Sequence, residues 1–389
     1  MQLSQPVQNI TDGSDGWELL YKARDMKAAG RDVIELNIGE HDIHTDPLIL
    51  EAMYQSALAG NTGYAMVPGQ VDLRKTVADR IQARTGVPTE PENILITPGG
   101  QSALFAAHFA TLNANDTALY IDPYYATYPG TIRMTGARDH AIAARSEDGF
   151  QPDARDIDRI ALETSAKTLL INSPNNPTGA VYSEQTMTNV VTTCQTRDLW
   201  IISDEVYDTQ IWSGTHMSPR QLDAERTLVV GSMSKSHAMT GSRLGWVCAP
   251  AHVISHLIDV ATHTTYGVPG FIQDAALAAF SQGPEFEEQI AQPFRRRMNL
   301  ALGILERSTQ IRVLPPHGGM YLMLDIRATG KSGEEFALGL LETHGIAVMP
   351  GESFGAAAAG HIRIAMTVND QDFTKALEQI CAYVDHLCA

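Results

Sequence analysis

Short runs of apolar residues, rich in β-branched side chains, recur through the middle of the chain and end in polar or turn residues. Five of these runs cover residues 117–122, 168–173, 199–205, 227–232 and 243–250. Runs of this length with turn residues at both ends are typical of buried strands. A helical pattern lies between two of them, over residues 183–197, with Ser183 as its candidate N-cap. Strands that alternate with helices predict an α/β fold with a mostly parallel sheet covered on both faces.

The C-terminal third has a different pattern, which predicts a smaller α+β unit. Residues 318–326 and 360–368 have the composition of strands, and a long helix is expected to begin after Pro284. The helix predicted over residues 372–387 has one apolar face, made of Phe373, Leu377, Ile380, Cys381 and Val384. We place the domain junction near residue 290. A large domain then covers residues 48–290, and a small domain combines residues 1–47 with 291–389.

Composition narrows the class of protein. The chain has 389 residues, is 44% hydrophobic and carries a formal net charge of −17. Nucleic acids and anionic membranes bind basic surfaces, so we expect neither as a partner. No basic segment followed by an apolar run begins the sequence, and we expect a cytoplasmic protein. The four cysteines lack the spacing of disulfide frameworks or zinc sites, so reduced thiols are expected.

Several common site motifs are absent. The dinucleotide fingerprint needs two glycines separated by one residue, and that pair does not occur. His252 and His256 have the helical spacing of zinc ligands, but the glutamate of the zinc-hydrolase motif does not follow His252. His41 and His44 have no acidic or thiol partner at a fixed spacing. We therefore expect no metal site, and the role of His41 and His44 stays open.

Unusual polar residues follow four of the apolar runs. They form the segments TPGGQSAL (97–104), SPNNPTG (173–179), DEVY (204–207) and SMSKSHAMTGSR (232–243). In open parallel sheets, ligands bind beyond the carboxyl ends of the strands. These four segments are therefore expected to assemble one pocket.

The residue types in this pocket suit a phosphorylated aromatic cofactor. Gly99, Gly100 and Gln101 open a helix whose free N–H groups favour an anion. Arg243 can bind a phosphate through two hydrogen bonds, and Ser232 can donate its hydroxyl.

The remaining polar residues suit an aldehyde on a pyridine ring. Lys235 can form an imine with an aldehyde, and Asp204 can keep a pyridine nitrogen protonated, which makes the ring an electron sink. Tyr207 and Asn176 can form hydrogen bonds with a phenolate oxygen. The sequence thus predicts a cofactor site centred on Lys235.

The segments NNPTG, SDEVY and SMSKSHAMTGSRLGW resemble the signature of the class I/II aminotransferases, which are fold type I enzymes that depend on pyridoxal 5'-phosphate. The resemblance extends from about Asn37 to Arg363. It implies a large domain with a mostly parallel, seven-stranded type of sheet, and a smaller α+β domain. It also implies transamination between an L-amino acid and a 2-oxo acid by a ping-pong mechanism.

The resemblance implies a role for each matching residue. Lys235 would hold the cofactor as an internal aldimine and transfer the proton, and Asp204 would pair with the pyridine nitrogen. Tyr207 and Asn176 would contact the ring oxygen, and Tyr125 would stack on the ring. The residues implied around the phosphate are Gly99, Gly100, Gln101, Ser232 and Arg243.

Substrate and partner residues follow from the same resemblance. Arg363 would bind the substrate α-carboxylate, with Asn176 beside it and the Gly39 backbone opposite. Tyr64, in NTGYAMVPG, resembles the tyrosine that reaches the phosphate of the neighbouring subunit. A homodimer is therefore implied.

The identity of the substrate is indicated by a narrower resemblance. Segments such as SEDGF, YGVPGFIQDAA and AAAAGHIRI are similar to arginine–pyruvate transaminases, which implies L-arginine or another basic donor with pyruvate as acceptor. A guanidinium needs an acidic partner, and Glu40 and Asp42 are candidates by position. In GEHDIH (39–44), however, His41 stands where the family has a proline. An aspartate-type or aromatic-type aminotransferase, or a β-lyase on the same fold, stays open.

Overall fold

The computed structural model describes residues 2–11 and 16–389. The α-helices are α1 (Gln5–Gln8), α2 (Trp17–Ala28), α3 (Pro47–Leu58), α4 (Val71–Thr85), α5 (Gly99–Thr111), α6 (Tyr128–Arg133), α7 (Ala154–Thr164), α8 (Glu184–Arg197), α9 (Met233–Ser236), α10 (Ala251–Thr262), α11 (Gly270–Phe280), α12 (Pro284–Leu305), α13 (Gly333–His344) and α14 (Asp370–Cys388). The β-strands are β1 (Ile34–Glu35), β2 (Ile94–Thr97), β3 (Thr117–Asp122), β4 (Arg138–Ala143), β5 (Thr168–Asn172), β6 (Trp200–Asp204), β7 (Thr227–Ser232), β8 (Gly245–Cys248), β9 (Arg312–Val313), β10 (Tyr321–Asp325), β11 (Ile346–Ala347), β12 (Met349–Pro350) and β13 (His361–Ala365).

A seven-stranded sheet forms the centre of the molecule. Its strand order is β2-β8-β7-β6-β5-β3-β4, and only the two pairs that involve β8 are antiparallel. The predicted α/β fold with a mostly parallel sheet is therefore confirmed. Strand β4, which the sequence pattern did not indicate, lies at the edge, where exposed and partly buried residues interrupt the apolar run.

Helices cover both faces of this sheet. In β5, Leu170 packs with residues of α5 and α10, whereas its neighbours Leu169 and Ile171 pack with residues of α7 and α8. Successive side chains of a strand point to opposite faces, so a fully apolar strand requires two apolar layers. This requirement explains why the central strands are continuous apolar runs.

A smaller antiparallel sheet, in the order β12-β13-β10-β9, packs with α12, α13 and α14. In α14, Phe373, Leu377, Ile380 and Val384 are buried as predicted, whereas Cys381 is only partly buried. The N-terminal segment joins this part of the chain through the parallel pair β1–β11, in which Ile34 lies opposite Ile346.

Two further predictions concern helices. Helix α8 begins where expected, and the Ser183 hydroxyl accepts the Thr186 N–H at 3.1 Å. Helix α12 continues across the predicted domain boundary at 290/291, and the helix itself gives no sign of a break there. The boundary therefore stays a prediction. No helix within the described ranges combines the length and apolar character that a membrane crossing requires.

Arg297, on α12, connects three parts of the chain. Its side chain is buried and donates to Asp42 at 2.6 and 2.9 Å, to the Met366 carbonyl at 2.9 Å and to Asp370 at 3.0 Å. Its neighbour Arg296 pairs with Asp370 as well, but at the surface. The two arginines therefore allow a buried and an exposed ion pair to be compared on one helix.

We expect Arg297→Met to lower the free energy of unfolding by about 2 kcal/mol, because it leaves Asp42 and a buried carbonyl without their donor. The matched change Arg296→Met should cost less than about 1 kcal/mol, since its ion pair is exposed. Urea unfolding followed by circular dichroism measures both changes. Equal shifts of the two midpoints would contradict this account of Arg297.

Candidate active site

A cavity of about 300 Å³ opens at the carboxyl ends of β2, β5, β6 and β7. The four polar segments that follow these strands in the sequence meet there, together with the N-terminal segment and residues from β10 to β13. The predicted site residues that line the cavity are Gly39, Gly100, Gln101, Tyr125, Asn176, Asp204, Tyr207, Ser232, Lys235, Arg243 and Arg363.

Two of the predicted site residues do not line the cavity. Gly99 lies against the Arg243 guanidinium, and a Cβ atom at Gly99 would come within 2.5 Å of Nη2. Tyr64 is 93% exposed, and its ring packs edge-on against Tyr266 with 5.2 Å between the centroids. Within its own chain, Tyr64 therefore lies outside the site.

Asp204 ends β6 as a buried carboxylate. It accepts hydrogen bonds from the Tyr128 hydroxyl at 2.7 Å and the Val206 N–H at 3.3 Å. Burial raises the pKa of Asp204 to about 6, and no basic side chain of the described ranges pairs with it. A buried carboxylate of this kind is stabilised by a cationic ligand, because the desolvation of its charge is otherwise uncompensated.

Lys235 is placed by the single turn of α9, directly after β7. Its Nζ donates to the Gly39 carbonyl, and its own carbonyl faces His41 Nε2 at 3.0 Å and Gln210 Nε2 at 3.4 Å. The N-terminal segment therefore contacts both the side chain and the backbone of Lys235.

The two histidines whose roles the sequence left open lie in different environments. His44 is exposed, whereas His41 packs edge-on against Phe294, with 5.3 Å between the ring centroids. Removal from water, and secondarily the charge of Lys235, lower the pKa of His41 to about 3. Neutral His41 can thus donate from Nε2 to the Lys235 carbonyl, and it acts here as a hydrogen-bond donor to the backbone.

Arg363 is a buried guanidinium between aromatic rings. Its Nη1 donates to Asn176 Oδ1 at 3.1 Å and its Nη2 to the Asn37 carbonyl at 2.6 Å. The guanidinium carbon lies 4.3 Å from the Tyr321 ring centroid and 4.5 Å from that of Phe354. In the part of the chain that the structure describes, no carboxylate pairs with Arg363. A carboxylate ligand would supply the missing counter-charge.

Sequence reasoning missed several residues of the cavity wall. They come from distant parts of the chain, so tertiary packing is needed to bring them together. Among the missed residues are Trp17, Leu20, Asn37, Tyr128, Tyr321, Met349 and Phe354. Most are apolar or aromatic, and in the sequence they look like ordinary core residues.

Comparison with known proteins agrees with this geometry. The sequence model of the family described as aminotransferase class I and II matches residues 31–380. The chain belongs to this family. This aminotransferase is 38% identical over 392 residues to arginine–pyruvate transaminase AruH of Pseudomonas aeruginosa, a match that covers 100% of the chain and 98% of that protein. It is 33% identical to the aspartate/prephenate aminotransferase of Thermus thermophilus, with 92% of each chain covered.

Solved structures of aminotransferases share the fold. A single mutant of Thermus thermophilus aspartate aminotransferase superposes with a TM-score of 0.93 at 32% identity, covering 99% of this chain and 100% of that chain. The aromatic aminotransferase of Pyrococcus horikoshii superposes with a TM-score of 0.87 at 28% identity, covering 94% and 99%. The expectation of a fold type I aminotransferase is therefore confirmed.

Enzymes of this family depend on pyridoxal phosphate, and the residues of the cavity fit that cofactor. The buried carboxylate of Asp204 would suit the protonated pyridine nitrogen of this cofactor. Gly99 and Gly245 allow Arg243 and the start of α5 to approach each other, since a Cβ at Gly245 would lie 2.7 Å from the Gly99 backbone. A cation beside free helix N–H groups is suited to a phosphate.

Gly99→Ala should weaken the binding of pyridoxal phosphate by about tenfold, because the new methyl group displaces the Arg243 guanidinium. Gly86→Ala is the matched control. Gly86 has a similar φ, +72° against +80° for Gly99, but no atom lies within 4 Å of its Cβ position. The control should lose stability and keep its affinity, as measured by cofactor titration. A similar loss of affinity in both variants would show that backbone strain, rather than Arg243, is responsible.

Proposed function

We propose that this enzyme transfers the amino group of an L-amino acid, with L-arginine as the first candidate, to a 2-oxo acid such as pyruvate. One observation carries the proposal: the buried Arg363 guanidinium has no carboxylate partner among the described residues and shares a cavity with Lys235 and Asp204. Amino acids and 2-oxo acids both carry an α-carboxylate. A single arginine can therefore orient the substrates of both half-reactions of a ping-pong mechanism.

Each predicted cofactor residue has a role in this proposal. Lys235 would bind the cofactor aldehyde, Asp204 the pyridine nitrogen, and Asn176 and Tyr207 the phenolic oxygen, while Tyr125 would lie over the ring. When bound, pyridoxal phosphate supplies an electron-poor ring that delocalises negative charge from the substrate Cα. The proposed phosphate ligands are Gly99, Gly100, Gln101, Ser232 and Arg243.

The side chains of the protein would perform the remaining steps. Arg363, fixed by Asn176 and Asn37, would orient the substrate through its α-carboxylate. The Lys235 amine would accept the proton from the substrate Cα and return it during the exchange of the amino group. The Gly39 carbonyl, which accepts from Nζ, offers this amine a fixed position beside the substrate.

The residues of the cavity wall favour an amino donor with a long, partly apolar side chain. Trp17, Leu20 and Met349 line it, and such residues suit the aliphatic stem of arginine. Of the two acidic candidates from the sequence, Asp42 is paired with Arg297. Glu40 is exposed and accepts from the Thr240 hydroxyl, and Thr240 itself lines the cavity. Glu40 is therefore our candidate for the guanidinium. The similarity to an arginine–pyruvate transaminase supports the same donor.

An aromatic amino acid is the second candidate donor, because the same apolar wall can accommodate a ring. An aspartate-type substrate is less well supported. Within the described lining of the cavity, the cationic side chains are Lys235, Arg243 and Arg363, and each already has a proposed role. The second carboxylate of aspartate would thus lack a counter-charge from this chain.

We also propose a homodimer in which Tyr64 reaches the phosphate of the neighbouring subunit. Tyr64, Met66 and Tyr266 expose more than half of their surface. Exposed apolar side chains close together on a folded protein are typical of a contact surface. Burial of these side chains against a second copy would remove them from water.

The proposed activity is tested with the wild type and Lys235→Ala. The wild type should show the absorbance of lysine-bound cofactor and convert L-arginine and pyruvate to 2-oxo acid and alanine. Lys235→Ala should lose that absorbance. Its rate of conversion should fall by at least about 10³-fold, since its proton acceptor is missing. No cofactor band in the wild type would contradict the cofactor assignment. A rate with arginine no higher than with aspartate would contradict the proposed donor.

The role of Glu40 is tested with Glu40→Gln. We expect the KM for L-arginine to rise about fivefold, as for the loss of an exposed ion pair, and the KM for L-phenylalanine to stay unchanged. Glu285→Gln, an exposed carboxylate at the start of α12, is the control and should change neither constant. An equal rise for both donors in Glu40→Gln would exclude a specific contact with the guanidinium.

A further inference from the structure

We infer that Asp122 is a positioning residue for substrate binding, because it holds the segment of residues 351–358 against the seven-stranded sheet and thereby fixes the Phe354 ring against Arg363. This inference rests on the proposed role of Arg363 as the ligand of the substrate carboxylate. It connects a strand end that does not line the cavity to the geometry inside it.

The contact between Asp122 and the segment is direct. Asp122 ends β3 and is 4% exposed, and its two carboxylate oxygens lie 3.1 and 3.3 Å from the Ala357 nitrogen, whose N–H they accept. Beside it, the Tyr124 N–H donates to the Phe354 carbonyl at 2.9 Å. Within the described ranges, no basic side chain pairs with Asp122. The backbone of the segment is therefore the principal partner of this carboxylate.

Gly355 makes this approach possible. Its φ is +112°, and a Cβ atom at this position would lie 2.1 Å from Asp122 Oδ1. No side chain other than hydrogen fits between the carboxylate and the segment. The segment and the carboxyl end of β3 therefore pack closely against each other at Gly355.

The segment continues into the active site through Phe354. Phe354 is buried, lines the cavity and places its ring centroid 4.5 Å from the Arg363 guanidinium carbon. A buried guanidinium is confined by a ring at this distance through cation–π attraction and contact. Release of the segment from Asp122 would let the Phe354 ring move, and Arg363 would then lose one of the surfaces that orient it.

The carboxylate is ionised under ordinary assay conditions. Burial raises the pKa of Asp122 to about 6, although the N–H groups of Ala357 and Ala356 oppose this effect. At pH 8 both oxygens are therefore acceptors, which suits the bifurcated hydrogen bond to Ala357. Measurements at this pH examine the contact in the ionised state.

The inference predicts a specific kinetic pattern for Asp122→Ala at pH 8. The KM values for the amino donor and for the 2-oxo acid should both rise about tenfold, since both substrates use Arg363. The kcat and the affinity for pyridoxal phosphate should stay within about threefold, because Lys235 and the phosphate ligands are untouched. Asp122→Asn, which keeps one acceptor oxygen, should restore most of the lost affinity.

A second variant disturbs the contact between Asp122 and the segment by a change in the segment itself. Gly355→Ala places a methyl group against Asp122 and should reproduce the rise in both KM values, so the inference can be decided even if Asp122→Ala fails to fold. Gly330→Ala is its control, since Gly330 also has a positive φ, +67°, but no atom lies within 4 Å of its Cβ position. This control should keep the KM values of the wild type.

Hydrogen–deuterium exchange provides a readout that is independent of catalysis. Exchange at Ala357 and its neighbours in the segment should become at least tenfold faster in Asp122→Ala than in the wild type. Unchanged exchange and unchanged KM values in the Asp122→Ala and Gly355→Ala variants would overturn the inference. A fall in kcat with unchanged KM values would overturn it as well.

Arg363→Lys distinguishes this inference from the proposed function on which it rests. If Arg363→Lys leaves both KM values unchanged, the role of Arg363 as the carboxylate ligand is wrong. If Arg363→Lys raises both KM values and the Asp122 and Gly355 variants do not, Arg363 keeps its role and only the positioning by Asp122 is wrong.

Discussion

The arrangement of the cavity depends on two buried charges, the carboxylate of Asp204 and the guanidinium of Arg363. Neither has a counter-ion among the described residues. Removal of an ion from water costs several kcal/mol unless a partner compensates for it. Asp204 is fixed by the end of a central strand, and Arg363 by strand β13 of the smaller sheet. Around both, aromatic rings and backbone groups prevent the side chains from turning towards solvent. The fold therefore maintains two buried charges that no ion pair within the described residues neutralises.

Much of this arrangement could be predicted from the sequence, because the polar segments directly follow apolar strands. A parallel sheet brings the ends of its strands to one edge, so Asp204 and Lys235 had to lie close together once their strands were recognised. The glycines that begin α5 and the arginine after β7 were found for the same reason. At these positions, the local sequence pattern and the order of the strands predict the same site.

The rest could not be predicted, since it depends on contacts between residues far apart in the chain. Tyr128 supports Asp204 from α6, and Tyr321 and Phe354 enclose Arg363 from the smaller sheet and its connecting segment. In sequence, these aromatic residues are indistinguishable from core residues. The edge strand β4 was missed for a related reason, because partial exposure weakens its hydrophobic pattern.

The short pair β1–β11 has a consequence for the order of events during synthesis. Ile34 lies opposite Ile346, so the two strands are separated by about 310 residues along the chain. The seven-stranded sheet ends at Cys248 and has all its strands long before Ile346 emerges from the ribosome. The segment that contains Gly39 and His41 follows β1 directly and cannot dock through this pair until then. The contacts of Gly39 and His41 with Lys235 are therefore among the last of this cavity to form, since they need a strand made about 110 residues after Lys235.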